Sequence, residues 1–179
     1  MKTRIAGTIM LISGLLVGPI SQANPGSAPQ ILAAPGWSYQ ATSERSLLRS
    51  HPKEVGLLQE TKTPSLFMTA PVVVIHAKDL SNRTGSAQIN RLEAELKAFA
   101  ARHRLEKNKP SFMNKKIIEG VPTIETEYGG NRWIFVGTHH DHVVIISAEA
   151  RDEKPPASAR DEFFKMARDV LANMVTKRE

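Results

Sequence analysis

The stretch FVGTHHDHVVII, residues 135–146, places three of the chain's six histidines and an aspartate within four consecutive positions. His139, His140, Asp141 and His142 offer imidazole nitrogens and a carboxylate, the donors that transition metals take at bond lengths of about 2 Å. Zinc or copper is the metal such a set would hold. In a tight turn His139 and His140 point different ways, whereas His140 and His142 share one side if the following strand begins early. Asp141 can orient an imidazole or act as a ligand. The structural alternative is a solvent-exposed hairpin tip, which tolerates polar residues and in which aspartate favours the turn. His76 and His103 fall in other elements, and their spacing gives no reason to recruit them.

Hydrolytic metal chemistry of the metallo-β-lactamase type is excluded. Its His-x-His-x-Asp-His signature has a different spacing and needs further ligands downstream, and no histidine follows His142. The chain also lacks a Gly-x-Ser-x-Gly elbow, a His-Glu-x-x-His pair, a phosphate loop and any cysteine nucleophile. Glu125 and Glu127 share one face of an expected strand, which acid–base chemistry can use. Alternating charges on a wet strand face are the commoner origin of that pattern. The reading is therefore a protein without catalytic residues or an obligatory cofactor.

The N-terminus sets the compartment. Lys2 and Arg4 precede an uncharged apolar run from Ile5 to Val17, Gly18-Pro19 breaks it, and Ser21 and Ala23 supply small residues for cleavage after Ala23. Thirteen residues are too few to span a bilayer as a helix, which takes about 20. Residues 1–23 thus read as a signal peptide, and the remainder as a periplasmic protein with no transmembrane segment. No cysteine is present for lipidation or a disulfide. Loss of Lys2 and Arg4 lowers the formal net charge from +6 to +4. Such a mild excess permits an acidic partner without requiring one.

Residues 24–35 contain three prolines and read as an extended lead-in, and residues 36–179 as one globular domain of ordinary size. Trp37 to Gln40 alternates as a first short strand. Ser43 to Pro64 is ambiguous: Glu54 to Glu60 suits a strand and Ser43 to Arg49 a helix start, while His51-Pro52 suits either a binding loop or a plain connection. Leu66 to Ala77, with its run Val72-Val73-Val74-Ile75, is a strand in which Pro71 marks a bulge or a sheet edge.

A helix from Ser86 sets Ile89, Leu92, Leu96, Phe99 and Ala100 on one face. A second begins near Ser158, whose hydroxyl is placed to cap the Asp161 amide, and aligns Phe163, Phe164, Ala167, Val170, Leu171 and Met174. Between them Phe112–Glu119, Pro122–Tyr128, Trp133–Gly137 and His142–Glu149 read as a meander of four strands. Single-sided helices need a sheet to cover, so the expected fold is α+β, an antiparallel sheet covered by two amphipathic helices.

The Gly36-Trp37-Ser38-Tyr39 strand, the strand ending VVVIHAKDL, the segment IIEGVPTIETEYGGNRWIFVGTHHDHVVIISAEA and the terminal FFKMARDVLANMV together resemble the PsbP-like and DcrB-like domains. The resemblance covers most of the chain after the signal and is one of element order and a few glycine and aromatic positions. It implies an α/β/α sandwich without a shared catalytic centre. Members of that family include photosystem accessory proteins, envelope lipoproteins and adaptors of secreted toxins. The present chain departs from the lipoproteins in lacking their cysteine.

The basic run ARHRLEKNKPSFMNKK supplies Arg102, Arg104, Lys107, Lys109, Lys115 and Lys116, a surface for an acidic partner or simply cations gathered at a helix C-terminus and the loop beyond it. Export and the absence of a recognition motif argue against nucleic acid. The leading expectation is a noncatalytic envelope protein acting on an envelope or secreted protein partner, as an accessory factor or a toxin-neutralising inhibitor. The alternative is a periplasmic metal or small-ligand binding protein using the histidine hairpin. Oligomeric state is not encoded in any pattern here.

Overall fold

The computed structural model describes residues 29–42, 50–61, 69–107 and 109–175. The expected signal peptide and the helix start weighed at Ser43 to Arg49 lie outside these residues. Seven strands, β1 (Trp37–Ala41), β2 (Glu54–Glu60), β3 (Ala70–His76), β4 (Phe112–Ile118), β5 (Val121–Tyr128), β6 (Arg132–His139) and β7 (His142–Glu149), form one antiparallel sheet in the order β1-β2-β3-β7-β6-β5-β4. Helix α1 (Ser86–Arg102) links β3 to β4, and α2 (Ala157–Ala172) follows β7. The α+β expectation holds. Among the described residues no helix is long and apolar enough to cross a membrane.

The helices cover opposite faces of the sheet. Leu92, Leu96 and Phe99 of α1 pack with Val73, Ile134 and Ile145. Phe163, Phe164 and Val170 of α2 pack with Val72, Trp133 and Ile146. Side chains alternate faces along a strand, so strands in the middle of such a sandwich must be apolar on both. This explains the unbroken run Val143-Val144-Ile145-Ile146, all of it buried.

Two local expectations change. The N-cap of α2 is Pro156, with no side-chain cap. Proline's fixed φ starts the helix there, so Ser158 lies inside the first turn. Pro71 lies in β3, which is interior, with β2 and β7 on either side; the irregularity it signalled is a shift of register in β2 between Glu54 and Gly56. The lead-in is tied down from Gln30 onward: Gln30 and Val175 bond through their backbones at 2.6 and 3.1 Å, and Ile31 and Ala34 are buried in the core beneath α2.

Gly56 shows why that irregular stretch needs a glycine. The Tyr39 ring lies across it, and its hydroxyl donates to the Val55 carbonyl at 2.9 Å. A Cβ on residue 56 would sit 2.4 Å from the ring. Gly56→Ala must therefore expel Tyr39 from its seat, and is expected to cost about 1–3 kcal/mol. Urea unfolding checks this, with Tyr39→Phe separating the lost hydroxyl bond from the lost packing.

Candidate functional site

The hairpin joining β6 to β7 is as short as antiparallel strands allow. His139 pairs with His142, which leaves His140 and Asp141 as the turn. His140 takes a left-handed φ of 52°, uncommon for a residue with a Cβ. It stands exposed at the tip, its ring edge-on to His139 at 4.6 Å. Asp141 is held from behind, because its carbonyl accepts the Ala77 N–H at 2.7 Å. That bond ties the turn to the end of β3.

The same register brings His76 into the site. In the β3–β7 ladder His76 pairs with His142, so the two imidazoles share a face with ring centroids 5.1 Å apart. The Asp141 carboxylate lies between them, one oxygen 2.8 Å from His142 Nδ1 and the other 3.2 Å from His76 Nδ1. His142 is buried, whereas His76 is exposed. Burial pushes the His142 pKa below its usual range, against the opposing pull of Asp141. Burial, with the neighbouring His140 and His142, lowers His139 as well. Neutral imidazole is the form that binds metals.

His76, Asp141 and His142 each offer one ligand atom, and these atoms lie within 4.8 Å of one another. Bonds of about 2.0–2.1 Å in a tetrahedral zinc site put ligand atoms about 3.3 Å apart. The cluster is within a small side-chain adjustment of that spacing. Of the four expected ligands, the structure gathers Asp141 and His142; His139 stands beside His142, and His140 serves the turn. Spacing along the chain could not supply His76. A signal was nevertheless present: VVVIH and HVVII are near mirror images, and antiparallel pairing of the two brings their terminal histidines together.

The basic run is dispersed. Lys115 and Lys116 alternate faces of β4, Lys115 reaching Glu93 at 2.5 Å and Lys116 reaching Glu125 at 3.3 Å. Arg102, Arg104, Lys107 and Lys109 lie in the C-terminal end of α1 and the connection to β4. Glu125 and Glu127 do share a face, but it is the one under α2. Buried Glu125 pairs with Arg168 of α2 and with Lys116. Glu127 accepts from Trp133 Nε1 at 3.1 Å and from Ser111 Oγ at 2.7 Å. Both carboxylates fasten elements together.

His51 also has a structural seat. Its ring stacks on Phe99 of α1 at 5.9 Å and faces His103 at 6.4 Å. Its Nδ1 accepts the Lys53 N–H at 3.0 Å. Beside it the buried Glu54 carboxylate accepts from the Ser50 N–H and hydroxyl at 2.8 and 2.6 Å.

No protein-family model matches the sequence, and no curated protein matches it. Among solved structures the chain is similar to the solution structure of cyanobacterial PsbP (CyanoP) from Synechocystis sp. PCC 6803. The identity is 11% and the TM-score 0.45, over 89% of this chain and 100% of that one. The likeness is confined to fold.

The His51 seat generates a pH dependence. Burial first, then the positive charges of Arg102 and His103, push the His51 pKa down from 6.5 to about 4. Between those values the unfolded chain holds a proton that the native imidazole does not. Stability is therefore fully present above pH 6.5 and falls as the pH drops toward 4. His103, lowered chiefly by burial, acts in the same sense. In His51→Asn, whose side-chain oxygen can accept the Lys53 N–H, the slope of unfolding free energy against pH should fall by up to about one proton in that window. An unchanged slope from urea titrations at stepped pH would show that His51 charges freely in the native state.

Proposed function

We propose that this chain is a noncatalytic binding protein of the periplasm, and that its ligand is a divalent transition metal held by His76, Asp141 and His142. The reading rests on one observation, the convergence within 4.8 Å of two imidazoles from the adjacent strands β3 and β7 and a carboxylate from the β6–β7 turn. A two-nitrogen, one-oxygen donor set suits zinc or copper and is a poor match for calcium or magnesium, which prefer all-oxygen sites. Asp141 already lies against both Nδ1 atoms, so an arriving cation replaces the protons shared there. Export, read from residues 1–23, supports a periplasmic address in which scarce metals are captured outside the cytoplasm.

Calorimetric titration with zinc and with copper tests the site. Metal at one hundred times its dissociation constant should stabilise the fold by about 2.7 kcal/mol, and the melting temperature should rise accordingly. His76→Ala should abolish this while leaving the core intact, because His76 is exposed. His140→Gly should keep metal binding and also raise stability by up to about 1 kcal/mol, since it relieves the left-handed turn residue. Equal binding by wild type and His76→Ala would defeat the proposal.

A protein partner, acting through an accessory or toxin-neutralising role, has a separate observation in its favour. Among the described residues β4 is an outer strand with β5 as its one neighbour, and its Ile117 is 56% exposed. Unpaired strand edges are templates for strand addition. A photocrosslinker at Ser111, beside that edge, should then capture one stoichiometric envelope protein, and Ile117→Glu should abolish the capture. Capture of background proteins alone would remove this reading.

A further inference from the structure

On the sheet face opposite the histidine cluster, α1 lies over β5, β6 and β7, and Lys115 of β4 reaches up to its Glu93. The space left between helix and edge strand is a groove of about 460 Å³. Leu96 and Ala100 of α1, Met113 of β4 and Tyr128 of β5 line it, and Met113 is 42% exposed there. Lys97 and Lys109 stand at the same groove. Glu93, the one acid among its described lining residues, is already engaged by Lys115 at 2.5 Å. Among the described residues no carboxylate pairs with Lys97 or Lys109. An apolar channel with two ammonium groups that pair with no described carboxylate is complementary to a molecule that is apolar along its length and anionic at one end.

We propose that this groove binds a long-chain fatty acid, with the carboxylate held between Lys97 and Lys109 and the acyl chain along Leu96, Ala100, Met113 and Tyr128. The volume falls within the range of small-molecule pockets, about 300–1,000 Å³, which favours this occupant. The charge rules out a cationic amphiphile. The proposal does not depend on the metal reading, since the two sites occupy opposite faces and share no residue.

Calorimetry with octanoate, decanoate and dodecanoate on the full chain, below their micelle concentrations, tests it. Each added methylene should strengthen binding two- to fourfold until the groove is filled. The double variant Lys97→Gln/Lys109→Gln should bind dodecanoate at least tenfold more weakly yet bind neutral dodecyl maltoside as the wild type does. Met113→Glu, at a position 42% exposed on the edge strand, should lose both ligands. Absence of dodecanoate binding, a flat chain-length series, or equal affinity in the lysine variant would overturn the proposal. Tighter binding of a lysophospholipid than of the acid of equal chain length would also overturn it, by assigning the lysines to a phosphate headgroup.

Discussion

The β3–β7 ladder is the junction on which the molecule depends. Strands β4 to β7 form a meander closed by short turns, and β1 to β3 a second antiparallel set. The two halves meet in five cross-strand pairs running from Val72↔Ile146 to His76↔His142. Four are pairs of β-branched aliphatic residues, alternately facing α2 and α1, so each helix packs across the seam and holds the halves together. A slip of one residue would carry Val72 and Val74 from one core to the other. It would also separate His76 from His142, so the register that builds the core also builds the histidine cluster.

Charge is used sparingly inside this frame, and always in company. Glu125 sits beneath α2 with Arg168 and Lys116, Glu127 holds the Trp133 indole, and Glu54 collects donors from Ser50 and Thr42. A buried carboxylate without partners would be costly. Each of these has partners from a separate segment, which makes it a fastening specific in direction, unlike the aliphatic contacts around it. This is why Glu125 and Glu127, spaced as paired catalysts would be, have no free edge for chemistry. Arg160, close to Glu127 and over the Phe112 ring, extends the same fastening from α2 to the outer strand.

Local periodicity made the element order legible. The helices at Ser86 and near Ser158 and the four-strand meander follow from spacing that survives in the folded protein, because each element must present a continuous apolar face. What escaped was set by contacts between distant segments. The wet face inferred for Glu125 is buried because α2, more than thirty residues later, lies over it. His51-Pro52 could be read as a binding loop until α1 supplied Phe99 and His103 to stack against it. His76 was invisible to spacing because its partnership is a fact of register, and the basic run lost its unity because a strand sends Lys115 and Lys116 to opposite faces.

The placement of the histidine cluster within this frame bears on how it can work. His142 is buried and Asp141 is anchored by the Ala77 N–H, so two of the three donors are fixed by backbone bonds of the central strands. His76 is held by the same ladder, and its exposed side chain has the most room to adjust. A ligand meeting such a site spends little on ordering it, in contrast with donors carried on a mobile loop. A metal there would also bridge the end of β3 to the β6–β7 hairpin, across the seam that joins the two halves of the sheet. Ligand binding and the integrity of the fold would then be read out through the same contact, which makes global stability a faithful reporter of occupancy.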